Sequence, residues 1–175
     1  MTIQAYEKLF YNGEEYCLDT YPLEVFFNNN DKPFVAVICS ACWREYIGTW
    51  EIKDSKLFFM EAQSNDGDNK YKDRVFPDEK GPVFAKWFSG ALVCPCGDRV
   101  AMPSIGRGVY CHEEYLVLEV ENGVVDEVKQ LNQNQYNEYR RENFSWFMRY
   151  RDAKRPATFK RHNKDKNDKN NKLPK

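Results

Sequence analysis

The chain has 175 residues, of which 15% are aromatic and 30% charged, with a mean hydropathy of -0.78 and a formal net charge of -1. That length holds one domain with its own core and has no need of disulfide staples. No stretch approaches the roughly 20 apolar residues of a membrane-crossing helix, and Met1–Glu7 lacks the basic start and apolar run of a secretory signal. The expectation is a soluble, cytoplasmic protein whose six cysteines are thiols or metal ligands rather than bridges.

The small net charge conceals an asymmetry. From Arg149 to Lys175 there are 11 Lys/Arg against 3 Asp/Glu, which leaves 15 against 24 in residues 1–148. An acidic body therefore carries a basic end.

Asn12-Gly13 lies between Glu7–Tyr11 and Glu14–Leu18, the strongest short signal for a two-residue hairpin turn. Pro22 opens a short helix over Leu23–Phe27, and 28–33 is a polar loop. The stretch Cys39–Met60 organises the fold. Tyr46, Gly48, Trp50 and Ile52 alternate with polar neighbours as in a strand, Asp54-Ser55 turns the chain, and Lys56–Met60 returns. Gly48 in mid-strand predicts a bulge or the close approach of a backbone or a large ring. Trp43 and Trp50 are assigned to the core; Arg44 and Glu45 to an exposed strand face, as one cross-strand ion pair or a recognition surface.

Ser64–Lys70 is a polar loop without the carboxylate spacing of a calcium site. Apolar residues at 83, 84, 87 and 88 predict a second short helix after Pro82. Ala91–Cys96 reads as a strand with Pro95 towards an edge or end, Gly97-Asp98 as a turn, and Val100–Ser104 as a further strand. Tyr115–Lys129 is a third hairpin about Asn122-Gly123. From Gln133 to about Arg151, Tyr136, Tyr139, Trp146, Phe147 and Tyr150 fall on one helical arc, which predicts an amphipathic helix docked on the sheet. The fold class is α+β, predominantly antiparallel β hairpins with short helices and this C-terminal helix. The domain spans residues 1–152, and 153–175 has the Lys/Asn/Asp-rich composition of a disordered basic tail.

Three blocks, Ala41-Cys-Trp-Arg-Glu-Tyr-Ile-Gly-Thr-Trp-Glu-Ile52, Val83-Phe-Ala-Lys-Trp-Phe-Ser-Gly90 and Tyr115–Val125, resemble the signature segments of a family of small uncharacterised bacterial proteins. The resemblance runs from about Glu7 to Lys129. It implies a compact cytoplasmic domain and assigns no activity. Glu45 stands where that pattern has Gly.

Cys39-x-x-Cys42 has zinc-knuckle spacing, and Cys94-Pro-Cys96 supplies a second pair on one strand face, so these four are the candidate metal ligands, with zinc the candidate ion. The second pair is C-x-C, and cysteine is also a common core residue. Cys111-His112 puts neighbours on opposite strand faces, a poor arrangement for nucleophile and base. With no catalytic signature, the expected function is a non-catalytic, partner-binding accessory protein, of the immunity or inhibitor kind by its size. The alternatives are a zinc-stabilised module whose basic tail holds nucleic acid through phosphate contacts, and an enzyme of unrecognised class, with Cys111 or Cys96 as its nucleophile.

Overall fold

The computed structural model describes residues 4–36, 39–101 and 110–143. The chain forms one mixed eight-stranded sheet and three short helices. β1 (Glu7–Tyr11) and β2 (Glu14–Leu18) make the first hairpin; α1 (Pro22–Phe26) comes next, then β3 (Tyr46–Lys53) and β4 (Lys56–Ser64) make the central one. α2 (Tyr71–Val75) and β5 (Val83–Phe84) lead to β6 (Gly90–Ala101), β7 (Tyr110–Glu121), β8 (Val124–Asn132) and α3 (Gln133–Asn143). The strand order is β2-β1-β3-β4-β8-β7-β6, with β5 beside β4.

All three expected hairpin turns form, each on two residues with positive φ: Asn12 and Gly13, Asp54 and Ser55, Asn122 and Gly123. These are the angles that match the twist of the flanking strands. One pairing is parallel. β1 lies beside β3, with Leu9 opposite Trp50, so the sheet is mixed rather than purely a run of hairpins.

The sheet has two halves that meet at narrow seams. β4 and β8 share only the pair Lys56–Val124, reinforced where Leu57 N–H donates to Gly123 O and Val125 N–H to Ser55 O. At the opposite end, Asp19 N–H donates to Val93 O, and the Thr20 hydroxyl bridges Ala91 O and Val93 N–H. The sheet thus curls until its first and last strands touch. The main core fills the curl, with Leu9, Trp50 and Phe59 from one half against Leu92, Cys94, Leu118 and Val120 from the other. On the outer face of β6 and β7, Ala91, Val93, Tyr115 and Val117 form a second cluster under Tyr136 and Tyr139 of α3. Tyr136 stacks on Tyr115 at 3.8 Å between ring centroids. Trp146, Phe147, Tyr150 and the basic segment 153–175 lie outside the described residues.

Three local expectations are corrected. Residues 83–88 are not a helix: Val83 and Phe84 pair with Phe59 and Phe58, and Ala85 N–H donates to Leu57 O. Pairing to the sheet satisfies these backbone groups better than a helix this short can. Gly97-Asp98 is not a turn between strands but an irregularity inside the twelve-residue β6, where the register shifts between Cys96 and Arg99. Trp43 is not in the core; it is 46% exposed, in the bend before β3.

Candidate functional site

The most heavily charged interior lies under the parallel pair. Glu7 opens β1 with its side chain pointed inward, and Arg44 precedes β3; both side chains are fully buried. Glu7 Oε2 accepts a 2.6 Å hydrogen bond from Trp50 Nε1. Its other oxygen lies 3.4 Å from Arg44 Nε, close enough for an ion pair but without hydrogen-bond geometry. Arg44 Nη2 donates to Ala5 O at 2.8 Å, and the guanidinium lies 3.7 Å from the Tyr21 ring centroid. The expectation of an exposed Arg44 is therefore wrong. Its partner is Glu7 of β1, 37 positions upstream, and the pair is buried.

Gly48 makes room for this group. A Cβ there would stand 2.9 Å from both Glu7 Oε2 and Trp50 Nε1. The approach of a large ring is as the sequence suggested, and a buried carboxylate comes with it; the bulge falls one residue later, between Thr49 and Trp50. Burial pushes the Glu7 carboxyl up to about 7, against the opposing pull of Arg44 and of the Trp50 hydrogen bond. Tyr46 and Tyr71 stack beside it at 5.1 Å, both hydroxyls buried without a hydrogen-bond partner among the described residues, and burial raises both phenols. With Glu7, Arg44 and Trp50 sealed from solvent, the cluster has no face to offer a substrate. What it does chemically is fix the β1–β3 pairing through a buried, partly satisfied polar contact.

The cysteines are distributed differently from a four-sulfur site. Cys39 and Cys42 bracket a tight bend, Cys39 exposed and Cys42 buried, with the Cys42 thiol 3.1 Å from Tyr46 O. Cys94 and Cys96 share a face of β6; Cys94 lies in the core and Cys96 is half-buried. Burial raises the thiols of Cys42, Cys94 and Cys96, which disfavours the thiolate that a metal or a nucleophilic step requires. Among the described residues, no three His, Cys, Asp or Glu side chains form a group that could hold a metal ion. Cys111 Sγ lies 2.8 Å from Gln133 Nε2, while His112 Nδ1 contacts Gly97 O.

One open feature among the described residues is the outer edge of β8. On one side β8 pairs with β7 along its length; on the other, past Val125, it pairs with no strand among the described residues. Val124 and Val128 are 41% and 42% exposed. A groove of about 290 Å³ runs between this edge and the tips of the first two hairpins. Tyr11, Ile52, Val125 and Val128 supply apolar walls, Asp54, Asp126 and Glu127 supply carboxylates, and no Lys or Arg lines it. Lys129 is occupied by Glu119 at 2.6 Å and Glu127 at 2.9 Å. Such a surface can take an extended chain along its edge, with cationic side chains over the carboxylates. Sequence reading passed over it because the alternation of β8 gives its strand and not its missing neighbour.

No helix among the described residues is long and apolar enough to cross a membrane. No family model, no curated protein and no solved structure matches the chain. The resemblance carried by the three sequence blocks therefore rests on those blocks alone.

Proposed function

We propose that the protein is a non-catalytic, partner-binding accessory protein, of the immunity or inhibitor kind, that grips an extended, Lys- or Arg-bearing segment of a partner protein along β8. The observation that carries this reading is the β8 edge itself, whose outer side past Val125 pairs with no strand among the described residues and faces a groove whose charged lining is wholly acidic. Edge strands with exposed apolar residues are normally blunted or covered, and added main-chain hydrogen bonds give such an edge affinity.

The test starts from a partner that co-purifies with the full chain and is then prepared pure. Titration calorimetry should show at least about tenfold weaker binding for the double variant Glu127→Lys, Val128→Lys at unchanged melting temperature. Phe34→Ser, which alters an 81% exposed residue elsewhere, should bind normally. Full affinity in the β8 variant would overturn the assignment.

A second reading is favoured by the 11-to-3 excess of basic residues in 149–175, a cationic arm for nucleic acid. Its signature is duplex binding that falls steeply with salt and disappears when those cations are replaced.

A further inference from the structure

We infer that Asn12 is a site of spontaneous covalent modification, deamidating through a succinimide in the folded chain, while Asn122 in the same Asn-Gly sequence is protected by the fold. The inference concerns two hairpin turns and holds whether or not a partner binds β8.

The chemistry is common to both sites. The glycine amide nitrogen gives its proton to hydroxide and attacks the asparagine Cγ. A bond from that nitrogen to Cγ forms, the Cγ–Nδ2 bond breaks, and the side-chain nitrogen leaves as ammonia with a proton taken from water. Water then opens the five-membered imide at either carbonyl and leaves aspartate or isoaspartate; nothing is oxidised or reduced. Glycine favours the step because no Cβ shields its nitrogen. The peptide must also be free to turn until that nitrogen faces Cγ, and the ring must have room.

The two turns have nearly the same backbone. Asn12 and Gly13 have φ of 52° and 82°, and Asn122 and Gly123 have 50° and 79°. Each is a two-residue loop, closed by Tyr11 opposite Glu14 in one case and Glu121 opposite Val124 in the other. Sequence and local conformation alone predict similar rates. The surroundings separate them.

The third hairpin's turn is held from both sides. Gly123 N–H donates to Phe88 O, Asn122 N–H donates to Ser89 Oγ, and Gly123 O accepts from Leu57 N–H, each at 2.8 Å. Gly123 is buried, and a Cβ on it would lie 2.7 Å from Ala85 O and 2.8 Å from Phe84 Cε2. Deprotonating its nitrogen forfeits one hydrogen bond, and turning the peptide forfeits the others. Reaction there waits for this docking to open, so its rate falls with the population of the open form.

The first hairpin's turn is free of such contacts. Asn12 and Gly13 are exposed, and apart from its chain neighbours no heavy atom lies within 4 Å of a Cβ placed on Gly13. Gly13 N–H has no backbone acceptor outside the strand ladders among the described residues. This tip can turn without undocking anything. Asn12 also lines the groove beside β8, so the product adds a carboxylate there. The isoaspartate form inserts a backbone methylene into a turn whose length sets the hairpin register.

The test incubates the full chain, native and in guanidinium chloride, in one mildly alkaline buffer at one temperature. Peptides containing Asn12 and Asn122 are followed by mass spectrometry after acid digestion, conversion being the gain of water for ammonia. The denatured chain supplies each site's intrinsic rate. The native rate divided by the denatured rate should be at least about tenfold higher at Asn12 than at Asn122. Asn12→Asp, which keeps a residue suited to this turn, should abolish the early mass gain of the native chain. Equal ratios at the two sites, a larger ratio at Asn122, or an early mass gain that survives Asn12→Asp would overturn the inference.

Discussion

The two halves of the sheet use their interiors in opposite ways. The half made of β2, β1, β3 and β4 buries an ion pair, Glu7 with Arg44, among Trp50, Tyr46 and Tyr71. The half made of β8, β7 and β6 turns Leu92, Cys94, Leu118 and Val120 inward, and keeps its Lys129–Glu119 pair on the outer face under Tyr139. Buried charge stabilises little on balance but is costly to leave unpaired, whereas apolar filling stabilises without regard to direction. The first half is therefore specified by matching partners and the second by area. Breakage should be abrupt in the first and graded in the second.

The sharpest way to break the comparison is Arg44→Met. It leaves Glu7 buried beside Trp50 without its counter-charge, and a loss of about 3–5 kcal/mol is expected by chemical denaturation. Lys129→Met on the outer face should cost below about 1 kcal/mol, as partly exposed pairs do. Next comes Gly48→Ala, where the new methyl would stand 2.9 Å from Glu7 Oε2 and Trp50 Nε1; about 1–3 kcal/mol is expected, with a change in Trp fluorescence as the indole loses its acceptor.

The pH dependence should come from the first half as well. The Glu7 carboxyl is raised from 4.5 to about 7 in the fold, so the folded state holds its proton more tightly than the unfolded chain does. Its contribution is fully present below about pH 4.5 and is lost as pH rises through about 7. Melting temperature measured from pH 5 to 8 should fall, and Glu7→Gln should flatten that slope while leaving the other carboxyls to titrate. A slope unchanged by the substitution would remove Glu7 as its source.

The smallest effect sharpens rather than breaks. Glu45 has a φ of +75°, a region that favours glycine. Glu45→Gly should raise stability by roughly 0.5–1 kcal/mol, the relief of the left-handed strain less the entropy a glycine adds to the unfolded chain.

Glu45 also shows how much was legible in the sequence. Its backbone adopts a conformation that Gly would favour, and the Glu side chain announces none of this. The hairpins were legible because Asn-Gly turns and period-two alternation are local properties. Arg44 was not, since its partner is set by the parallel β1–β3 pairing across 37 residues, and nothing local announces a parallel neighbour. Val83–Phe88 was misread because a two-residue strand followed by a turn spaces its apolar residues much as a helical turn does. The edge of β8 escaped notice for a related reason: a sequence shows which residues form a strand and not which side of it stays unpaired.

Gly123 carries a consequence for how the chain folds. Its N–H donates to Phe88 O and its carbonyl accepts from Leu57 N–H, while a Cβ there would meet Ala85 O at 2.7 Å. Three segments separated by dozens of residues thus converge on one turn. Each hairpin can zip independently from its own turn, in microseconds, but the halves can join only after the loops between them close. Closing such distant contacts costs chain entropy before they return any stability, so docking at this turn belongs late on the folding path and its rate should be that of a high-contact-order β protein.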